Sequence, residues 1–416
     1  MSLLAPFRQL NSAQRHCFLA AFLGWTLDSL DFFLLIFCVK AIAGEFHTAV
    51  SSVMGAVFMT QAFRPVGALV FGMLADRYGR RPVLMFNILS FSVIELACAF
   101  APSLTVLLVL RALFGIAMGG EWGVGAALAF ESLPKQGRGT FSGLLQEGYA
   151  LGSILASAAF ALLFVHIGWR GLFILGASPA LLVFYVQARV QESPVWLAGA
   201  RKRLERASDA VHSVAPLVPV HLKEFLPTFL FLILLMTAFM SFSHGTQDLY
   251  PTFLAVSAKL TPKLIGAIGV LYGFGSIAGG FIFGALSERW GRKRAIVTAA
   301  LLAIPVIPFY AYGHSVVALT IGAVLMQFMV QGAWGVVPAY LTELSPGPVR
   351  ATAPGLAYQL GGLITSWNGK GQALAAERWG NYPAVLAITV TVVALALAGL
   401  TMLGREAKGR DMTADY

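Results

Sequence analysis

GMLADRYGRR, residues 72–81, returns as GALSERWGRK at residues 284–293. The interval is 212 residues (284 − 72), and it holds elsewhere without a gap: Trp122 maps to Trp334, Glu131 to Glu343, Pro134 to Pro346 and Arg138 to Arg350. Within the two strings Gly72, Asp76, Arg77, Gly79 and Arg80 answer to Gly284, Glu288, Arg289, Gly291 and Arg292. Two windows about 55 residues apart share one spacing in each half, so the chain is a duplicated unit.

What is duplicated is mostly soluble in hydrocarbon. Of 416 residues, 58% are hydrophobic and 12% charged, and the mean hydropathy is +0.76; a soluble domain is about one quarter charged. A run of about twenty apolar residues crosses a bilayer as a helix. Twelve can be read: 17–40, 52–75, 83–101, 104–128, 140–165, 170–190, 227–254, 263–286, 294–312, 316–341, 352–375 and 381–403. They are too long for strands and lack two-residue alternation. The expectation is an all-α membrane protein of twelve transmembrane helices in two pseudo-symmetric six-helix bundles, 1–190 and 227–403. A polar cytoplasmic linker at 191–226, carrying RKRLERASD and VAPLVPV, joins them, and a tail occupies 404–416. The other connections are short and leave no room for a soluble catalytic domain.

Lysine and arginine placement sets the orientation. With both termini inside, 21 of the 29 basic residues fall on the inner side. Five lie outside (Lys40, Arg170, Lys259, Lys263 and Arg378), and Arg64, Arg111 and Lys370 lie within spans. Both termini are therefore expected in the cytoplasm, with the chain in the cell membrane. This face also accounts for the net charge of +10, so no nucleic-acid partner is needed. Cys17, Cys38 and Cys98 fall in or beside apolar segments and form neither a disulfide framework nor a metal set. The first apolar run reads as a span rather than a cleaved signal peptide.

A duplicated membrane bundle with charged hinges at equivalent places is the plan of alternating-access carriers. An acid at a helix end facing arginines can latch one bundle to the next. Glu131 with Arg138, and Glu343 with Arg350, stand at the inner ends of the fourth and tenth spans. With Asp76, Arg77, Arg80, Glu288, Arg289 and Arg292 they are expected to form a gating belt that closes when the carrier faces outward. Ordinary basic loops would not repeat in register.

GMLADRYGRRPVL resembles the signature of the major facilitator superfamily. GIAMGGEWGVGAALAFESLPKQGR is similar to the sugar-porter fingerprint through Gly115, Gly119, Glu131 and Arg138, and ESPVWL at 192–197 resembles the segment after the sixth span of such porters, with Val195 where an arginine is usual. The resemblance covers nearly the whole chain. It implies the twelve-helix fold and a carrier that usually works as a monomer, without naming the substrate.

Charges within hydrocarbon cost about 2.5–3.5 kcal/mol even on lenient scales, so they normally face a cavity and serve function. Here they are Asp28 and Asp31 on the first span, Arg64 on the second, Glu95 on the third, Arg111 and Glu121 on the fourth, and His244 and Asp248 on the seventh. Two arginines cannot pair all five acids among Asp28, Asp31, Glu95, Glu121 and Asp248. A carboxyl buried without a partner holds its proton more tightly, which is the physical requirement for proton coupling. Arg64, a planar and permanently charged fork near mid-membrane, is the candidate to hold an anion; a structural ion pair to the first span is the alternative. Asp28, Asp31, Arg111, Glu121 and Asp248 are the candidates for proton coupling. Arg111, in RxxxG with Gly115, resembles the superfamily arginine associated with proton transfer. Glu95 reads as structural.

SFSHGTQDLYPT, residues 241–252, sets His244 and Asp248 four apart on one face, with Thr246 and Gln247 adding neutral hydrogen-bonding groups, and Tyr250 and Pro251 break the helix beyond. The string resembles the seventh-span motif of the fungal lactate–pyruvate–proton symporters, N-x-x-[ST]-H-x-[ST]-Q-D-x-x-x-T, with Met240 in place of the asparagine. Bacterial sialate permeases share much of it. Some of those carry two extra central helices where this chain has a linker, which directs the reading to a small acid. Gln331 and Gln359 are further candidates for hydrogen bonds to a substrate, and Trp334 and Trp367 for walls.

The sequence therefore points to a symporter that imports a small monocarboxylate with a proton. No cofactor is expected beyond the proton as coupling ion, and the partners are a small organic anion and the lipid bilayer. Sialate, aromatic acids and sugars are rival substrates. A non-transporting membrane sensor would need a larger cytoplasmic output region, and no metal cluster, nucleotide loop or nucleophile triad marks an enzyme.

Overall fold

Asn11 and Gln14 open the first helix reciprocally. The Asn11 side chain accepts from Gln14 N at 2.9 Å, and Gln14 Oε1 accepts from Asn11 N at 3.0 Å. From this cap α1 runs Ser12–Glu45. The computed structural model describes residues 10–133, 138–194, 196–197, 222–344 and 353–406. The rest of the first half is α2 (Val50–Tyr78), α3 (Arg80–Ala99), α4 (Leu104–Ser132), α5 (Arg138–Gly176) and α6 (Ala180–Arg189). The second half holds α7 (Leu222–Gln247), α8 (Tyr250–Val256), α9 (Pro262–Trp290), α10 (Arg292–Ala303), α11 (Ile307–Ala311), α12 (Val316–Trp334), α13 (Val337–Leu344), α14 (Ala353–Thr365), α15 (Asn368–Trp379) and α16 (Tyr382–Leu403).

Among the described residues, ten helical stretches are long and apolar enough to cross a membrane. One of them, Leu144–Arg189, holds two crossings. At Gly168 (φ 65°) its backbone leaves the helix. The chain then doubles back, since Arg170 reaches the Ala99 and Ala101 carbonyls at one end while Arg81 reaches the Gln187 carbonyl at the other. The eleventh expected span is broken at Ser366 and Trp367 into α14 and α15, each too short to cross alone. These two facts reconcile ten stretches with twelve crossings. The seventh crossing is interrupted at Asp248 and Leu249, ahead of Tyr250 and Pro251. Exposed side chains such as Leu69, Phe184 and Leu403 coat the outside, as lipid contact requires.

The 212-residue interval survives as contact geometry. Gly79 (φ 108°) and Gly291 (φ 94°) make the same turn between α2 and α3 and between α9 and α10, in a region that only glycine enters cheaply. A Cβ on Gly67 would overlap the Ile116 carbonyl, and one on Gly279 would overlap the Phe328 carbonyl. Both members of each contact are offset by 212 (279 − 67 and 328 − 116), so α2 crosses α4 as α9 crosses α12. Small residues let the backbones approach this closely.

Between the halves, α9 lies antiparallel to α5: Gly266 meets Ala161, Gly269 meets Ser157, Gly273 meets Ile154 and Gly280 meets Glu147. That register sets the Trp290 end of α9 beside the Arg138 end of α5, and so brings the two basic hinges to one face of the molecule. On the opposite face the halves are tied together. Ser51 N donates to Glu377 Oε1 at 2.7 Å, Ser51 Oγ donates to Glu377 Oε2, and Lys40 Nζ donates to the Ala255 carbonyl at 2.8 Å.

Candidate functional site

The spans leave a small chamber of about 40 Å³ between the halves. Trp25 and Phe32 of α1, Arg64 of α2, and Gln146 and Tyr149 of α5 form its first wall. Met240, Ser243 and His244 of α7, Gln331 and Trp334 of α12, and Tyr358 of α14 form the second. Five aromatic side chains share the lining with Gln146, Ser243, His244, Gln331 and one guanidinium, a mixed surface with a fixed positive charge.

Arg64 is 7% exposed. Its Nη1 donates to Gln61 Oε1 at 3.3 Å, while Nε and Nη2 have no hydrogen-bond partner. A buried guanidinium with idle donors in a cavity is built to receive an acceptor that arrives from outside. Gln61, one turn earlier on α2, lies against the His244 ring, its Nε2 at 2.9 Å from the ring Nε2 and 3.4 Å from Nδ1. His244 Nδ1 lies 3.1 Å from Asp248 Oδ2, and its ring stands edge-on to Phe32 at 5.7 Å between centroids. A polar chain therefore runs Arg64–Gln61–His244–Asp248 from one half to the other. A second bridge lies beside it, where Gln247 Nε2 donates to Tyr149 Oη at 3.1 Å and to Ser243 Oγ at 3.0 Å.

Behind this wall the acids of α1 part company. Asp28 lies in electrostatic range of Arg64 and Glu121. Both carboxylates are fully buried, and none of their four oxygens has a hydrogen-bond partner. Glu121 packs where a Cβ on Gly24 would sit. Asp31, though only three residues on, turns into a separate cluster with Glu95 and Arg111. There the Arg111 Nη2 reaches Glu95 Oε2 at 2.7 Å with both side chains sealed, and Phe114 and Phe173 stack over the guanidinium at 4.8 and 4.7 Å. Arg111 and Glu95 thus form a buried ion pair inside the first half. Asp31 adds an unpartnered carboxylate 2.8 Å from the place of a Cβ on Gly176.

Not every candidate reaches the chamber. Thr246 donates to the Phe242 and Ser243 carbonyls and accepts from Gln327 Nε2 at 3.2 Å, against α12. Gln359 is half-buried on α14 and stands outside the lining. Trp367 is half-exposed and packs on Phe58 and Lys370, whereas Trp334 is a wall. Gln331 lines the chamber as expected.

At the basic face the resolved pairs join elements of one half. Arg80 Nη2 meets Glu131 Oε1 at 3.1 Å, and Ser193 Oγ donates to the other oxygen of Glu131. Arg292 meets Glu343 at 2.9 Å and Glu288 at 2.6 Å. Arg77 lies over the Tyr78 ring at 5.4 Å, and Arg289 is exposed. Glu131 and Glu343 therefore pair with the hinge arginines. Arg350, and the side chains of Asp76 and Arg138, lie outside the described residues. Two acids were not foreseen. Glu192 accepts from the backbone N–H of Arg80 and Arg81 and caps α3, and Glu406 does the same for Arg292 and Lys293 at α10.

Residues 21–256 and 249–412 both match the Major Facilitator Superfamily. The chain belongs to that superfamily. The relatives it resembles are transporters, and this chain is a multi-pass membrane transporter rather than an enzyme. It is 26% identical to the sialic acid transporter NanX of Escherichia coli over 98% of this chain and 97% of NanX. It is also 26% identical to a carboxylic acid transporter protein homolog of Saccharomyces cerevisiae, over 99% of this chain and 71% of that one. Among solved structures, a partially occluded inward-open form of the xylose transporter XylE from E. coli superposes with a TM-score of 0.76 at 17% identity, covering 96% of this chain and 100% of XylE. That likeness establishes the shared superfamily fold.

Proposed function

We propose that the protein is a proton-coupled symporter that imports a small monocarboxylate of the lactate or pyruvate kind by alternating access. One observation carries the reading: Arg64 faces the chamber with two donor nitrogens unused. A carboxylate accepts two parallel bonds from such a fork. An anion moved with one proton is electroneutral, and the unpartnered carboxyls of Asp28 and Glu121 beside Arg64 supply groups able to carry that proton. Ser51 and Glu377 tie the halves together on one side, which we take as extracellular; the basic face is then cytoplasmic.

The likeness to NanX supports a second reading, a sialic acid–proton symporter, since sialic acid also presents a carboxylate. Proteoliposome uptake separates the two. Labelled lactate, pyruvate and sialic acid are offered with an imposed inward proton gradient and without it. Gradient-stimulated lactate or pyruvate uptake that Arg64→Ala abolishes supports the first reading. Stimulated uptake of sialic acid alone selects the second. Uptake indifferent to the gradient removes proton coupling, and full transport by Arg64→Ala removes the anion role.

A further inference from the structure

A groove of about 570 Å³ starts at the second hinge, on the basic face, where α9 ends, α10 begins and α16 runs out. Trp290, Lys293, Arg294, Val297, Thr298 and Met402 line it. Lys293, Arg294, Val297 and Thr298 stand three and four apart on α10 and share one face of that helix. The groove therefore begins among cations and ends, one turn into the span, among apolar side chains. Trp290 and Met402 are 47% and 64% exposed, at the level where a span leaves the hydrocarbon.

The two cations are employed differently. Lys293 Nζ donates to the Met402 carbonyl at 2.7 Å and ties α10 to the last turn of α16. The first half repeats this bond. Arg81, 212 residues earlier (293 − 81), donates from Nη2 to the Gln187 carbonyl at 2.7 Å, in the last turn of α6. Arg81 and Lys293 are thus equivalent clasps between helices. Arg294 has no such twin, because Pro82 stands at its place in the first half (294 − 212), and Phe86 stands at the place of Thr298 (298 − 212). The repeat is broken at the two positions that give the second half an extra cation and a smaller side chain beside it. Arg294 is exposed and makes no hydrogen bond or ion pair among the described residues. The acids of this hinge are already engaged. Glu288 and Glu343 pair with Arg292, and Glu406 accepts from the backbone N–H of Arg292 and Lys293. Lys293 itself has three donors and uses one on Met402, so both cations can turn donors toward the groove.

We propose that this groove binds the headgroup phosphate of an anionic phospholipid, with an acyl chain lying along Val297 and Met402. The guanidinium fork of Arg294 matches two phosphate oxygens, and the Lys293 ammonium adds a point charge beside it. A free phosphate ion uses only that end. The lipid uses both, since Val297 leads on to the exposed Leu301 one turn deeper in the span. Basic pockets between helices at a membrane surface take anionic headgroups in this way. A zwitterionic lipid brings its own ammonium group against the two cations and is disfavoured. The groove lies outside the chamber, so the proposal is independent of the carboxylate reading.

The purified full chain in detergent is mixed with phosphatidylglycerol or with phosphatidylcholine of the same acyl chains, and the lipid retained is counted by native mass spectrometry. Glycerol 3-phosphate supplies the phosphate without the tails. The wild type is expected to hold one phosphatidylglycerol about tenfold more tightly than phosphatidylcholine, the value of a charge-assisted bond, and glycerol 3-phosphate at equal concentration should not displace it. Arg294→Gln is expected to abolish that preference. Thr298→Phe copies Phe86 of the first half, fills the groove and leaves every charge in place; it should abolish the preference too, and it carries the comparison if the glutamine variant does not fold. Arg189→Gln removes an exposed arginine at the end of α6 on the same face and should keep the preference. Wild-type retention by Arg294→Gln or Thr298→Phe overturns the proposal, as does a wild type that holds both lipids equally. An equal loss in Arg189→Gln would show diffuse attraction by the whole basic face instead of a site. Displacement by glycerol 3-phosphate would make it a site for free phosphate and overturn the lipid.

Discussion

The Arg80 guanidinium reaches the Glu131 carboxylate at 3.1 Å, and 212 residues later Arg292 reaches Glu343 at 2.9 Å. The repeat is geometric, but the two pairs differ in burial. Side chains of the first pair are 15% and 22% exposed, and those of the second 8% and 10%. A pair open to water contributes up to about 1 kcal/mol, whereas removing one partner from a sealed pair costs roughly 3 kcal/mol. Glu343→Gln should therefore lower the melting temperature in detergent more than Glu131→Gln. Equal or reversed shifts would show that burial does not set the value of these hinges.

Arg64→Lys tests the shape of the cation apart from its charge. Lysine keeps the charge but loses the planar fork. Initial uptake of labelled lactate should fall at least about tenfold, the loss of one good bond in a buried site, with folding unchanged. Wild-type uptake would mean that a point charge is enough.

The Arg111–Glu95 pair lies in the interior of the first half with no exposed surface. Glu95→Met removes the one acid hydrogen-bonded to this guanidinium, leaving Asp31 as the remaining carboxylate of the cluster, and should destabilise by roughly 3 kcal/mol. Adding Arg111→Met removes the stranded charge and should recover most of the loss. A double variant no more stable than the single one would contradict a purely local ion pair.

Gly67→Ala introduces a methyl group against the Ile116 carbonyl. The neighbour is backbone and cannot turn aside, so α2 and α4 must separate, at a cost of roughly 1–3 kcal/mol or more. Gly279→Ala should do the same at Phe328, while Gly72→Ala, which has no neighbour within 4 Å, should be silent. Thermal melts of the three variants rank the sites.

Glu377→Ala removes the acceptor of the Ser51 amide. Hydrogen exchange at the start of α2 should speed up by about tenfold, the value of one bond, with exchange in α4 unchanged. If exchange at Ser51 stays as slow as in the wild type, this contact does not hold the closed face.

The spans, the hinge glycines and the chamber positions of Arg64 and His244 were legible because each follows from a local rule: apolar length, a turn needing positive φ, or the cost of charge in lipid. Other placements depended on rotation about helices. Successive helical residues turn by about 100°, so Thr246 lies about 200° from His244 and faces α12 instead of the chamber. Asp31 lies about 60° from Asp28, enough to direct it to another pair of neighbours. Glu192 and Glu406 were opaque for a different reason. Their partners lie 112 and 114 residues away, and an isolated acid in a polar segment bears no periodic mark.

The seam of α9 on α5 has a mechanical consequence. At Gly266, Gly269, Gly273 and Gly280 the bare backbone of α9 receives Ala161, Ser157, Ile154 and Glu147 of α5, each lying close to where a Cβ would stand. A roll about that line must lift these side chains from their hollows. The seam is thus toothed from the Ser51–Glu377 face to the basic one, and tilting one half on the other meets resistance at each seat, where a single substitution can be felt.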